Sequence, residues 1–96
     1  MVNFTTNKKP YDFLQEIALR HKALRRQAGF SQSELAKRSG VSLGSLKRFE
    51  REGQISLESL LKLTDVLNRL NDFEALLQPL ENLDAIEKLF SSKTRS

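Results

Sequence analysis

A run of hydrogen-bonding side chains between residues 42 and 48 carries the clearest chemistry in this sequence. The planar guanidinium of Arg48 matches the two acceptor atoms that guanine presents in the major groove. Leu43 offers an apolar contact for a thymine methyl group, and Gly44 brings only backbone. The run therefore indicates recognition of base edges. The base-reading candidates are Ser42, Leu43, Ser45, Lys47 and Arg48.

The residue types that catalysis and metal binding require are scarce. The chain has one histidine, His21, and no cysteine, so catalytic triads and thiol nucleophiles lack their parts. Its four glycines are scattered and do not form a phosphate-binding loop. We interpret His21 as a packing residue on the first helix. We predict no enzyme activity, no catalytic residue, no metal site and no cofactor.

Two short helices joined by a tight turn are predicted to position the base-reading candidates. Ser31 and Glu34 form a capping box at the start of the first of these helices. A glycine at its end provides the positive φ that often terminates a helix, and a serine after the turn caps the second helix. This pattern is typical of a helix-turn-helix. Its structural residues are Ala36, Gly40, Val41 and Leu46.

The motif Gln-x-x-Leu-Ala-x-x-x-Gly-Val-Ser at residues 32–42, followed by Arg-Phe-Glu-Arg-Glu-Gly at residues 48–53, resembles the XRE family of phage-repressor and Cro type. The resemblance extends to a leucine-rich helix ending near Leu70. It implies that Arg25 pairs with Glu50, and that Glu50 is therefore a further structural residue of the helix-turn-helix. The sequence departs from the family at Leu43 and Gly44, where the family often has amide side chains. Direct base reading by an amide side chain therefore has no counterpart at these two positions.

Positive charge is concentrated in the half of the chain that carries the helix-turn-helix. Residues 1–52 hold eleven Lys or Arg and five Asp or Glu, a balance of +6, whereas residues 53–96 have a balance of −2. This asymmetry favours a surface that faces phosphates. Gln32 is expected to donate to a phosphate beside the free amides at the start of its helix. The predicted phosphate contacts are Gln32, Arg25, Arg26 and Lys37, with Lys22 as a looser candidate.

The predicted fold is all-α, a compact bundle of about five to six short helices with a lambda-repressor-like helix-turn-helix domain. We divide the chain into a flexible arm at 1–11, the DNA-binding domain at 12–71, a C-terminal helical extension at 72–91 and a tail at 92–96. The first helix is expected over residues 13–27, capped by Asp12, with Phe13, Ile17, Leu24 and Ala28 as its buried stripe. Asn71 and Glu74 offer a further capping box, and the apolar face that follows continues until Pro79, where the helix should stop or bend; a last segment is capped by Asn82.

The leading functional hypothesis is a small transcriptional repressor that binds a double-stranded operator, as the resemblance implies. Apolar residues in the extension favour a homodimer, since one recognition helix covers few base pairs. One alternative is the DNA-binding antitoxin of a toxin–antitoxin module with a HipA-type kinase partner. Another is a protein-binding adaptor with the same fold. No stretch is long and apolar enough to cross a membrane and no signal peptide is evident, so a cytoplasmic protein is expected.

Overall fold

The computed structural model describes residues 7–80, which form four α-helices and one short 3₁₀ helix. The α-helices are α1 (Pro10–Gln27), α2 (Gln32–Ser39), α3 (Leu43–Glu52) and α4 (Leu57–Val66). The 3₁₀ helix is Leu70–Phe73. The all-α fold is confirmed, with slightly fewer helices in this part of the chain than the five to six predicted. The predicted last helix lies outside the described residues.

Serine hydroxyls begin three of the four α-helices. The Oγ atoms of Ser31, Ser42 and Ser56 each accept a hydrogen bond from the backbone amide three residues later, at 3.0–3.1 Å. Gly40 and Gly53 end α2 and α3 with φ angles of 78° and 76°. Glycine adopts this left-handed conformation without strain. Local sequence therefore fixes the ends of α2 and α3, including the turn between them.

The core joins all four α-helices. Its most deeply buried large side chains are Leu35 of α2, Leu46 and Phe49 of α3, and Leu63 of α4, each at most 1% exposed. Ala36 and Val41 are also buried, as the helix-turn-helix prediction requires. Both helices of the motif thus pack on one apolar centre.

The buried face of α1 differs from the predicted one. Phe13 and Ile17 are 49% and 40% exposed, whereas Ala18, His21 and Arg25 are buried. The predicted stripe was wrong because the face of α1 that packs on α3 is partly polar. The helix also begins at Pro10, three residues earlier than expected, and Asp12 accepts a hydrogen bond from the amide of Lys9 at 2.8 Å instead of being the N-cap itself.

The chain after α4 is less helical than predicted. The expected leucine-rich helix to Leu70 stops at Val66, because Asn68 takes a left-handed conformation with φ 61° and its amide bonds back to Asp65. Asparagine tolerates that conformation better than most residues. The helix predicted between Asn71 and Pro79 is replaced by the 3₁₀ helix and a turn in which Leu77 has φ 58°.

Candidate nucleic-acid interface

Helix α3 has one buried and one exposed side, as a recognition helix requires. Leu46 and Phe49 are buried in the core, while the opposite side carries exposed polar and basic residues. Gly44 is exposed too, and a methyl group added there would meet nothing within 4 Å. The exposed side chains are Ser45, Lys47, Arg48, Arg51 and Glu52.

A buried ionic network fixes α3 against α1 and α2. Arg25 donates from Nε to Glu50 at 2.7 Å, from Nη2 to the same carboxylate at 3.1 Å, and from Nη1 to the carbonyl of Phe30 at 2.8 Å. Gln32 donates to Glu50 at 2.9 Å. The predicted pairing of Arg25 with Glu50 is thereby confirmed.

The network determines the charge state of Glu50 and the role of Arg25. Burial by itself raises the pKa of Glu50, but the hydrogen bonds from Arg25 and Gln32, together with the positive charges of Arg25 and Lys22, outweigh burial and bring that pKa below its ordinary value. Arg25 is only 7% exposed. The guanidinium of Arg25 bonds to Glu50 and to the carbonyl of Phe30, and the phosphate contact of Arg25 stays a prediction.

A cleft beside Glu50 gathers basic side chains from α1 and α3 around the start of α2. Lys22, Gln32, Lys47 and Arg51 line it together with Glu50. Of the remaining phosphate candidates, Arg26 lines a separate groove on α1, and Lys37 is exposed in the last turn of α2. The cleft can accept an anion through three cations and one amide, with Gln32 already oriented by Glu50.

The predicted base-reading residues are not equally available. The Oγ of Ser42 accepts a hydrogen bond from the amide of Ser45 at 3.1 Å and donates one to the Oγ of Ser45 at 2.9 Å, so this hydroxyl caps α3. Leu43 is half-buried against the core. Ser45, Lys47 and Arg48 are exposed on α3. Arg48 also lines a groove between α3 and the start of α4, together with Ser45 and Gln54.

The structure adds polar neighbours of Arg48 that the sequence analysis did not single out. Arg48 donates to Glu52 and to the side chain of Gln54, each at 3.3 Å. Arg51 donates from Nη2 to Glu52 at 3.0 Å. The spacing of Arg48 and Glu52, four residues apart on a helix, is a sequence signal that could have indicated this pair. Gln54 follows the helix end, and no sequence pattern points to it.

Comparison with protein families assigns the fold. Residues 22–71 match the family model described as helix-turn-helix. The chain belongs to this family, which is the XRE, Cro and lambda-repressor type of helix-turn-helix protein. Its members are DNA-binding regulators, so membership supports a transcription-regulator type of function. No curated protein and no solved structure matches the chain.

Two further observations concern other functions. Within residues 7–80, no cluster of three or more His, Cys, Asp or Glu side chains could hold a metal ion. Among the helices of that same stretch, none has the length and apolar character needed to cross a membrane.

Proposed function

We propose that this chain is a small transcriptional repressor that inserts α3 into the major groove of double-stranded DNA. The observation that carries the proposal is the division of α3. Leu46 and Phe49 are at most 1% exposed on one side, and Ser45, Lys47 and Arg48 face solvent on the other. A helix held this firmly by the core presents its polar side in one orientation, which base recognition requires.

Phosphate contacts position the helix, and the cleft beside Glu50 supplies them. Gln32, Lys22, Lys47 and Arg51 would surround one backbone phosphate there, next to the free amides at the start of α2. Arg26 and Lys37 extend the basic surface as looser contacts. Each neutralised phosphate releases condensed counterions, so binding should weaken steeply with salt.

Base reading is assigned chiefly to Arg48, with Ser45 beside it, whereas Lys47 is assigned to the phosphate in the cleft beside Glu50. The guanidinium of Arg48 can donate two hydrogen bonds to guanine, a contact that distinguishes guanine from the other bases. Leu43 exposes part of its side chain to a neighbouring thymine methyl group, and Ser42 contributes mainly through its cap. Gly44 lets the helix backbone approach the groove closely.

Two copies of the chain would bind one operator. Supporting this are the exposed leucines after α4, Leu70, Leu76, Leu77 and Leu80. A groove beside them is lined by Leu61 and Phe73. These surfaces are apolar enough to pair with a second copy, and the operator would then contain half-sites about 34 Å apart. The same apolar surfaces could instead accept a toxin, which is the antitoxin alternative.

The test is a duplex titration of the full chain on a fragment of its own promoter region, with and without the neighbouring gene product. A repressor shifts the fragment alone, with affinity that falls as salt rises. A shift that needs the neighbouring protein supports the antitoxin role. The absence of any shift, with and without that protein, supports the adaptor role and refutes the proposal.

A further inference from the structure

The last turn of α3 holds a carboxylate between the two arginines of the exposed face. Arg48 donates from Nε to Oε1 of Glu52 at 3.3 Å. Arg51 donates from Nε and Nη2 to Oε2 of Glu52 at 3.2 and 3.0 Å. Gln54 accepts from Nη2 of Arg48 at 3.3 Å. Each carboxylate oxygen of Glu52 therefore serves one arginine, and Arg48 is held at two of its nitrogens.

The backbone beneath Glu52 is fixed by contacts with α1. Gln15 donates from Nε2 to the carbonyl oxygen of Glu52 at 2.7 Å. The next residue, Gly53, is buried, and its amide bonds to the carbonyl of Phe49 at 2.7 Å. The Glu52 carboxylate thus projects from a rigid end of α3, although it lies in solvent itself.

Fold stability does not account for this carboxylate. The side chains of Arg48 and Glu52 are 59% and 43% exposed, and ion pairs this exposed contribute little to folding. On a surface that binds a polyanion, a carboxylate also repels phosphates. Hydrogen bonds from Arg51, and less strongly from Arg48, keep the pKa of Glu52 below its ordinary value, so it stays ionised at neutral pH. The contacts that remain to be explained are its hydrogen bonds to Arg48 and Arg51.

We infer that Glu52 is a specificity-determining residue, which orients Arg48 for one base and weakens attraction to unrelated DNA. This inference rests on the proposed function. An arginine side chain has five N–H bonds. Glu52 and Gln54 each accept one from Arg48, which leaves three on Nη1 and Nη2 for a two-bond contact with guanine. When DNA displaces water from this surface, the hydrogen bond between Arg48 and Glu52 becomes stronger. A guanidinium turned toward a wrong base would lose that bond, so the wrong base is bound less well.

The test compares the affinities of Glu52→Gln and of the unaltered chain for three duplexes. The first is the sequence that the unaltered chain selects from a random pool, and the second is the same duplex with its Arg48-dependent base pair exchanged. The third is an unrelated duplex. Discrimination between the first two should fall by about tenfold. Affinity for the unrelated duplex should rise, and its salt dependence should increase by about one phosphate contact. Titration by fluorescence anisotropy at two salt concentrations measures both.

Glu34→Gln is the matched control. It removes the same charge from a glutamate that accepts from an arginine four residues away, Arg38, at 3.3 Å, but on α2. Its discrimination should equal that of the unaltered chain. Gln54→Ala, which removes the second bond to Arg48 without changing charge, should lower discrimination and leave affinity for the unrelated duplex unchanged.

The outcomes separate the inference from the proposed function. Equal discrimination in Glu52→Gln, Gln54→Ala and the unaltered chain overturns the inference while leaving a selective DNA-binding protein. An unaltered chain that selects no sequence overturns the proposed function first. If the affinity of Glu52→Gln rises by the same factor for all three duplexes, the substitution acts through charge alone, and this result also overturns the inference.

Discussion

The Nε of Arg25 lies 2.7 Å from Oε2 of Glu50, and the two side chains are only 8% and 4% exposed although 25 residues separate them. This pair connects α1 to α3 at the point where Gln32 also donates to Glu50. Because the carboxylate is bonded from two elements, the orientation of α3 depends on a polar network as well as on the core.

Arg25→Met should destabilise the fold by about 3–5 kcal/mol, because Glu50 is left as a buried charge without its main partner. Chemical denaturation at neutral pH measures the free energy of unfolding. The control is Arg20→Met, which breaks an exposed pair with Glu16 and should cost about 0.5 kcal/mol or less. Equal losses in the two variants would contradict the structural role of Arg25.

Acidification should destabilise the protein through His21. Burial lowers the pKa of His21 below its ordinary value of 6.5; among its neighbours the Glu50 charge opposes this shift and the Arg25 charge adds to it. Its Nε2 lies 3.3 Å from the Oγ1 of Thr64 on α4, an uncharged partner. As pH falls below about 6.5, the unfolded chain takes up a proton that the folded chain resists, so stability is full above that pH and declines below it.

The measurement is thermal unfolding of the unaltered chain and of His21→Leu between about pH 7.5 and about pH 5.5. The pKa of Glu50 is lowered from 4.5, so its contribution is lost only at lower pH, outside this window. His21→Leu should flatten the pH dependence. An unchanged slope in the variant would assign the effect to other groups.

Gly44→Ala should separate stability from DNA binding. Gly44 lies in α3 with open space around it, so alanine should stabilise the helix by up to about 1 kcal/mol. The added methyl group lies on the exposed side of α3 and would keep the helix backbone from approaching the major groove closely. Affinity for the duplex that the unaltered chain selects should therefore fall. Thermal unfolding and duplex titration test the two effects; unchanged affinity would show that the backbone does not approach DNA there.

Gly53→Ala should destabilise more than Gly40→Ala, although both glycines have similar positive φ angles of 76° and 78°. A Cβ at Gly53 would lie 2.9 Å from Nε2 of Gln15 and 3.0 Å from the carbonyl oxygen of Leu14, whereas one at Gly40 meets nothing within 4 Å. Both variants lose about 1 kcal/mol or more to backbone strain, and Gly53→Ala adds the clash with α1. Comparative thermal unfolding decides the order.

Arg48→Ala should lose about 1–3 kcal/mol on the selected duplex and relax the preference at one base pair. The physical reason is the loss of a two-bond contact with guanine. Lys47→Ala serves as the comparison: Lys47 lies in the cleft beside Glu50, where we propose a phosphate contact, so this variant should weaken binding evenly across sequences. An equally even loss for Arg48→Ala would make Arg48 a phosphate contact.

The sequence by itself determined the helix-turn-helix. Ser31, Gly40, Val41 and Ser42 act within a few residues of their own positions, through caps, a left-handed turn and an apolar contact, so their types and spacing were sufficient. The family resemblance also indicated the pairing of Arg25 with Glu50, which the structure confirms.

Only the tertiary structure decided the rotation of α1 and the surroundings of Arg48 and Arg51. His21 and Arg25 point inward because each contacts a polar partner, Thr64 or Glu50, from a distant part of the chain. The hydrophobic pattern of the α1 sequence contains no information about such polar contacts. The bond from Gln15 to the carbonyl of Glu52 spans 37 residues for the same reason. Local interactions fix where a helix starts and stops, but which side it buries depends on the groups that other helices bring to it.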